Sequence, residues 1–495
     1  MQGHRRFPVR TTFAAVALAC GLAGCGAGND SARTVALGEC RLPRLAAAAQ
    51  CGTIDVPENR DRPDGRQISI AFAVLPANTL APKADPLVLL PGGPGQSAAA
   101  LVPFAARLAE VRRTRDIVLV DPRGTGRSSP LDCAALKPED RPDAVIEADP
   151  VPKAKECLKE LAERGIDASQ YTTAAWVADL DAVRAALGYP RWNLWGGSYG
   201  TRVALEYARR HPDRVRSMVL DGVAPPSLKV SLGVWLTREQ ALDALFAACA
   251  ESPACAAVQP DLAATLAKIR ADLGPAGRDV SVANPRTGEI ETHRLTDEVV
   301  VAGLHPLVYV PELAALIPAM LDRAAAGDFA PLYAAALLIG GDLADQMSGA
   351  LHYSVTCAED VPRIDDADRA GLAATRVATF ARQALSVCDV WPRGRQPADA
   401  TMPVVTGIPT LLVSGGLDPV TPPAYAEEVA KTLANHRHVV GAGYGHIVSP
   451  HACGPRLVAA FVDRAGFDTL PSSCIEHFAT STRPPLWSGR LAPAP

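Results

Sequence analysis

The sequence predicts a doubly wound, mostly parallel α/β sheet with a large helical insertion between two of its strands. Three observations carry that expectation. Short apolar runs alternate with helical patterns. One of these runs leads directly into a Gly-x-Ser-x-Gly turn followed by an Ala-rich helical pattern. The alternation stops between about residues 225 and 400, where Ala and Leu recur at helical spacing. Strands buried on both faces read as continuous apolar runs, and strand–helix alternation is the signature of a parallel sheet covered by helices.

The elements follow in chain order. Arg5, Arg6 and Arg10 precede an apolar stretch from Thr11 to Gly24 that is too short to span a bilayer. That stretch ends in Leu22-Ala23-Gly24-Cys25, which resembles a bacterial lipobox. Residues 1–24 are therefore expected to be a leader, Cys25 the lipidated residue, and 25–39 a tether. An ordinary secretory leader that happens to contain a cysteine is the alternative. The expected location is outside the cytoplasm, attached by lipid to a bacterial membrane. Gln67–Leu75, Pro86–Leu90, Asp116–Val120, Trp192–Trp195, Val215–Leu220, Thr410–Ser414 and His438–Val440 read as strands. Ala174–Leu187 and Thr201–Arg210 read as helices, the second closed by His211-Pro212. Helical runs at Leu236–Ala250, Leu262–Leu273, Val299–Tyr309, Leu313–Ala326 and Leu332–Leu343 fill the insertion. The division that results is core over 40–225, helical cap over 226–400, core again over 401–482, and a tail over 483–495.

Composition sets further bounds. The 495-residue chain is 48% hydrophobic and 21% charged, enough to bury a core. Its formal net charge is −4, and the body without the basic leader is more acidic still. That balance weighs against a nucleic-acid partner, since phosphate neutralisation needs a surplus of cations. Cys20 leaves with the leader and Cys25 takes lipid, so ten cysteines remain. An even number in an exported chain favours disulfides, and pairing between sequence neighbours is expected: 40–51, 133–157, 249–255, 357–388 and 453–474. Paired Cys-x-x-Cys spacing and a dinucleotide fingerprint are both missing from the sequence, so no metal and no cofactor is expected.

The chemistry is expected at Ser198, within Gly196-Gly197-Ser198-Tyr199-Gly200. A nucleophile on a sharp strand-to-helix turn needs small neighbours because two backbones approach there. A serine hydroxyl also needs a base to take its proton. The order Ser, acid, His selects Asp418, just past the run Thr410–Ser414, and His446 in Gly443-Tyr444-Gly445-His446. His446 would accept the Ser198 proton and hand it on, while Asp418 would hold the imidazole. Backbone N–H groups of Gly93, in Gly92-Gly93-Pro94-Gly95, and of Tyr199 are the expected oxyanion donors. Thr421 is expected to hydrogen-bond near the acid or to cap the strand end. Asp121 and Arg123 are expected to pair and fix the loop beside the elbow.

Together these segments resemble the proline iminopeptidase and tripeptidyl aminopeptidase-like branch of the α/β-hydrolases. The likeness rests on Cys51-Gly52-Thr53-Ile54-Asp55-Val56-Pro57, Gly92-Gly93-Pro94-Gly95, Asp121-Pro122-Arg123-Gly124-Thr125-Gly126-Arg127-Ser128, the Ser198 turn, Asp418-Pro419-Val420-Thr421-Pro422 and the His446 loop. The stretch through Cys474 resembles the TAP-like C-terminal region. The resemblance implies a serine aminopeptidase acting on free N-termini of peptides. One position departs from it: Pro91 stands where proline iminopeptidases often carry His, which weakens a narrow iminopeptidase identity. An exopeptidase must bind a substrate ammonium, and a cap carboxylate does so well at close range. Thr356-Cys357-Ala358-Glu359-Asp360 resembles the family's acidic cap segment, so Glu359, then Asp360, are the amine-site candidates. A solvated acidic loop is the plain alternative. An esterase or amidase on non-peptide substrates would use the same triad, and fold alone does not choose.

Overall fold

The computed structural model of the chain describes residues 35–136, 149–284, 287–344 and 347–487. The expected leader, Cys25, most of the tether and the end of the tail lie outside these residues. The strands are β1 (Gly38–Cys40), β2 (Ala49–Pro57), β3 (Gln67–Leu75), β4 (Leu87–Leu90), β5 (Ile117–Val120), β6 (Trp192–Gly197), β7 (Val215–Asp221), β8 (Arg278–Ala283), β9 (Ile290–Leu295), β10 (Thr410–Gly415) and β11 (His436–Gly441). Nine of them form one sheet in the order β1-β2-β3-β5-β4-β6-β7-β10-β11. From β5 to β11 every neighbouring pair is parallel; β1, β2 and β3 run antiparallel.

The inner parallel strands β4, β5, β6 and β10 are buried on both faces, as a parallel sheet covered by helices requires. Val88 and Leu90 of β4 and Val118 and Val120 of β5 pack into one core layer. Leu87, Leu89, Ile117 and Leu119, one residue out of phase, pack into the other. The first layer is covered by the helices Pro150–Glu163, Thr173–Ala186 and Tyr199–Arg210. The second is covered by Val102–Arg107, Gly454–Arg464 and Ser472–Thr480. The fold class is the expected one: an α/β sheet sandwiched by helices.

Residues between β7 and β10 form the insertion. Its longest helix, Val230–Glu251, packs with Leu262–Leu273, Asp297–Leu304 and Ile317–Ala325 around a core of its own that includes Leu245, Phe246, Leu266, Val301 and Leu321. The β8–β9 hairpin lies within it. That hairpin is absent from the sequence expectation, as are β1 and β2. Much of β2 is half-exposed or exposed, so its alternation is diluted by polar residues. In the hairpin only one face is apolar, through Val282 and Leu295, inside a segment dominated by helical spacing. All five expected disulfides are formed: Cys40–Cys51, Cys133–Cys157, Cys249–Cys255, Cys357–Cys388 and Cys453–Cys474.

Candidate active site

β6 is fully buried and ends at Gly197; the helix Tyr199–Arg210 begins two residues later. The turn between them is one residue, Ser198, held at φ 55° and ψ −126°. A non-glycine residue there carries backbone strain, about 1–3 kcal/mol, which the surroundings must offset. The Ser198 N–H donates to the Asp221 carbonyl at 2.9 Å, and Thr201 Oγ1 donates to the Ser198 carbonyl at 2.6 Å. The turn closes because its neighbours are glycines. A Cβ on Gly196 would lie 2.4 Å from the Gly200 carbonyl oxygen, and one on Gly200 would lie 2.2 Å from that of Leu90.

Asp418 follows β10 and His446 follows β11, so both stand at the carboxyl edge of the sheet, where the Ser198 turn also stands. His446 Nδ1 lies 2.8 Å from one Asp418 carboxylate oxygen and 3.0 Å from the other. Thr421 Oγ1 donates to Asp418 Oδ2 at 2.9 Å and sits 3.2 Å from His446 Nδ1. Backbone N–H groups of Val420 and Thr421 donate to Asp418 Oδ1 at 2.8 and 2.9 Å. Burial pushes the Asp418 carboxyl up, but the charge and hydrogen bond of His446 and these donors outweigh it and hold it below the usual carboxylate range.

Sequence reasoning missed Asp221, the last residue of β7. Its carboxylate is fully buried and accepts the Val448 and Ser449 N–H groups at 3.0 and 2.7 Å. It thereby anchors the chain just past His446, while its own carbonyl holds Ser198. Burial raises its pKa, and the hydrogen bonds from Ser449 and Val448 counter part of that rise. A buried carboxylate with its donors on a separate loop leaves no local signal in the sequence.

Gly93 and Tyr199 both line the cavity beside Ser198. Gly93 sits at φ 106°, open to glycine alone at low cost, and the Gly93–Pro94 peptide is cis. Tyr199 opens its helix, so its N–H has no carbonyl four residues back to bond. A second layer braces this loop from the insertion. Ser348 N–H donates to the Gly95 carbonyl at 2.9 Å, and the His352 ring lies 3.2 Å from the Pro94 carbonyl. Burial lowers the His352 pKa, so the neutral ring is favoured as the donor.

Two expectations need correction. Glu359 and Asp360 do not face the cavity; both turn into the seam between insertion and core. Glu359 accepts from the Thr173 N–H and hydroxyl, each at 2.8 Å, and lies 3.8 Å from Arg202. Burial raises its pKa, partly offset by Arg202 and Thr173. Asp360 pairs with Arg202 at 3.0 Å and Arg363 at 3.1 Å and accepts the Val230 N–H. Arg202 belongs to the helix Tyr199–Arg210 that follows Ser198, so these acids clamp the insertion onto that helix. Loss of one partner from a buried pair of this kind costs about 3–5 kcal/mol. Arg123 likewise pairs with Asp179, through contacts of 2.6 and 2.7 Å, and not with Asp121. Asp121 instead accepts the Ala98 and Arg127 N–H groups.

The cavity itself is about 760 Å³ and runs from Ser198 and His446 beneath the insertion. Its wall is mainly apolar, with Phe104, Trp195, Leu228, Trp235, Tyr353 and Val361 among its residues. A site of this size holds a short peptide or a drug-sized acyl compound. Among the described residues no Asp or Glu lines it, and no His/Cys/Asp/Glu cluster could hold a metal ion.

Comparison with known proteins agrees with this architecture. Residues 85–288 match the model of the alpha/beta hydrolase fold, and residues 375–474 match that of the TAP-like protein family. The chain is 36% identical over 197 residues to serine protease Hip1 of Mycobacterium tuberculosis, covering 37% of this chain and 38% of that protein. It is 35% identical over 203 residues to tripeptidyl aminopeptidase of Streptomyces lividans, covering 37% of each. It is 35% identical over 225 residues to carboxylesterase B of Mycobacterium tuberculosis, covering 42% of this chain and 43% of that protein. In each case the match spans less than half the length of the relative.

Proposed function

On this α/β hydrolase fold, we propose that the protein is a serine hydrolase that cleaves short peptides from their free N-termini through an acyl-enzyme on Ser198. The observation that carries the reading is His446, hydrogen-bonded to Asp418 at 2.8 Å and lining the same cavity as Ser198. His446 takes the Ser198 proton as the hydroxyl attacks the scissile carbonyl, then delivers it to the leaving amine; water repeats the cycle to free the acyl fragment. Asp418 keeps the Nδ1–H tautomer and stabilises the imidazolium. The N–H groups of Gly93 and Tyr199 meet the developing oxyanion. The names serine protease and tripeptidyl aminopeptidase among the relatives support a peptide substrate.

The test compares a tripeptide p-nitroanilide with a free N-terminus, its acetylated form and p-nitrophenyl butyrate. The aminopeptidase reading expects the free amine to be cut at least about tenfold faster than the acetylated peptide, the scale of one charge-assisted contact. Equal rates would leave a peptidase without N-terminal selection. One observation favours a second reading, an esterase or amidase. The described cavity wall offers no carboxylate, and an ammonium buried without a partner is costly. Turnover of the ester alone would establish that reading.

The proposal extends to location. Five disulfides suit an oxidising compartment, and the segment ending at Cys25 supports export with a lipid anchor. Cys25→Ser should then move the protein from the membrane fraction to the soluble fraction of cells. Unchanged membrane retention would remove the anchor from the account.

A further inference from the structure

Among the described residues, the fixed charge that faces the cavity is positive. Arg238 lines it, on the helix Val230–Glu251, and is the one Lys or Arg in the wall among the described residues. Its guanidinium carbon lies 5.3 Å from the ring centre of Trp235 and 4.9 Å from that of Tyr309. It donates to the Tyr309 hydroxyl, while its Nε is buried with no hydrogen-bonding partner. No ion pair to it exists among the described residues. The adjacent acid, Glu239, is already engaged by Arg376 at 2.8 Å and His305 at 3.1 Å. Tyr309 also packs edge-on against His446, at 5.7 Å between ring centres, so the cation sits on the His446 side of the reacting centre.

A half-buried guanidinium with no ion-pair partner among the described residues is an anion site in waiting. Its planar fork fits a carboxylate with two parallel hydrogen bonds. The same helix face supplies a second unsatisfied group. Ser231 lines the cavity, and its Oγ is buried without a partner. Ser231 and Arg238 are two helical turns apart, about 10 Å along the axis. Val234 and Trp235 lie between them on the same wall.

We propose that Arg238 binds a carboxylate carried by the substrate, so that the preferred substrates are short and anionic: peptides with a free C-terminus, or acyl compounds ending in a carboxylate. The inference rests on the reading of this cavity as the acyl-transfer site. It leaves open no role for Arg238 in proton transfer; the residue selects and orients.

Two matched substrate pairs test it, one for each side of the scissile bond. On the acyl side, p-nitrophenyl hemisuccinate is compared with p-nitrophenyl butyrate. On the leaving-group side, tetra-alanine is compared with its C-terminal amide. The readout is the ratio of kcat/KM within each pair, corrected for uncatalysed ester hydrolysis, so that folding and catalytic competence cancel. The wild type is expected to favour the carboxylate by about tenfold or more in one pair. In Arg238→Gln that ratio should fall to near one or below. In Arg238→Lys, which keeps the charge and loses the fork, it should be intermediate. A wild-type ratio of one or less in both pairs overturns the proposal without any variant. So does a ratio unchanged in Arg238→Gln. If peptides are not cut at all but esters are, the peptidase reading fails and the ester pair still decides the role of Arg238.

Discussion

Replacing Ser198 by alanine is expected to lower kcat/KM by about 10⁵–10⁶-fold on any substrate the protein turns over. The size of the loss follows from the division of labour at the site. Without Oγ there is no acyl-enzyme, and His446 and Asp418 have no proton to move. Residual rate can come only from water positioned near the oxyanion donors. The substitution removes one oxygen from a residue whose backbone is held by Asp221 and Thr201, so the turn should keep its geometry. Thermal unfolding and circular dichroism should match the wild type. A fluorophosphonate probe should label the wild type and leave Ser198→Ala unlabelled. Activity within tenfold of wild type in the purified variant would show that Ser198 is not the nucleophile.

The sheet and the elbow were legible because their signals are local. A parallel strand buried on both faces must be apolar along most of its length, and β4 and β5 are so throughout. The elbow demands small residues at fixed offsets from Ser198, and Gly196 and Gly200 meet backbone carbonyls there. Asp418 and His446 were found by their place after strands. What the sequence concealed is whatever depends on where a side chain turns in three dimensions. Glu359 and Asp360 look like a free acidic pair beside a cysteine; only the position of Arg202 on a distant helix turns them into a clamp. Arg238 gives no signal either, being one charge on a long helix, and its meaning comes from Trp235, Tyr309 and the cavity they bound. The β8–β9 hairpin was hidden for a different reason. Its one apolar face is too short a pattern to stand out within a segment of helical periodicity.

Asp418→Asn should cost about 10⁴-fold in kcat, less than loss of the nucleophile by about one to two orders of magnitude. The carboxylate is saturated in this structure: it faces the Val420 and Thr421 N–H groups, the Thr421 hydroxyl and His446 Nδ1. Every one of these partners is a donor, so a carboxamide must turn its own N–H₂ toward at least one of them. If it turns toward His446, the ring is pressed into the tautomer with Nδ1 unprotonated, and Nε2 then carries a hydrogen and cannot accept from Ser198. If it turns toward the Val420–Thr421 turn, two backbone donors lose their acceptor in a buried place. Both outcomes also remove the negative charge that stabilises the imidazolium. The same donors give a signature in stability against pH. Because they hold the Asp418 pKa below its ordinary 3.8, the ionised carboxylate stabilises the fold above that value, and the contribution is lost as pH falls through the lower folded value. Acid unfolding below about pH 4 should therefore be shallower in Asp418→Asn than in the wild type, measured from its own lower starting stability at neutral pH. Equal kcat in wild type and variant would move the acid's role elsewhere, and Asp221, which already anchors the chain beyond His446, would be the carboxylate to examine.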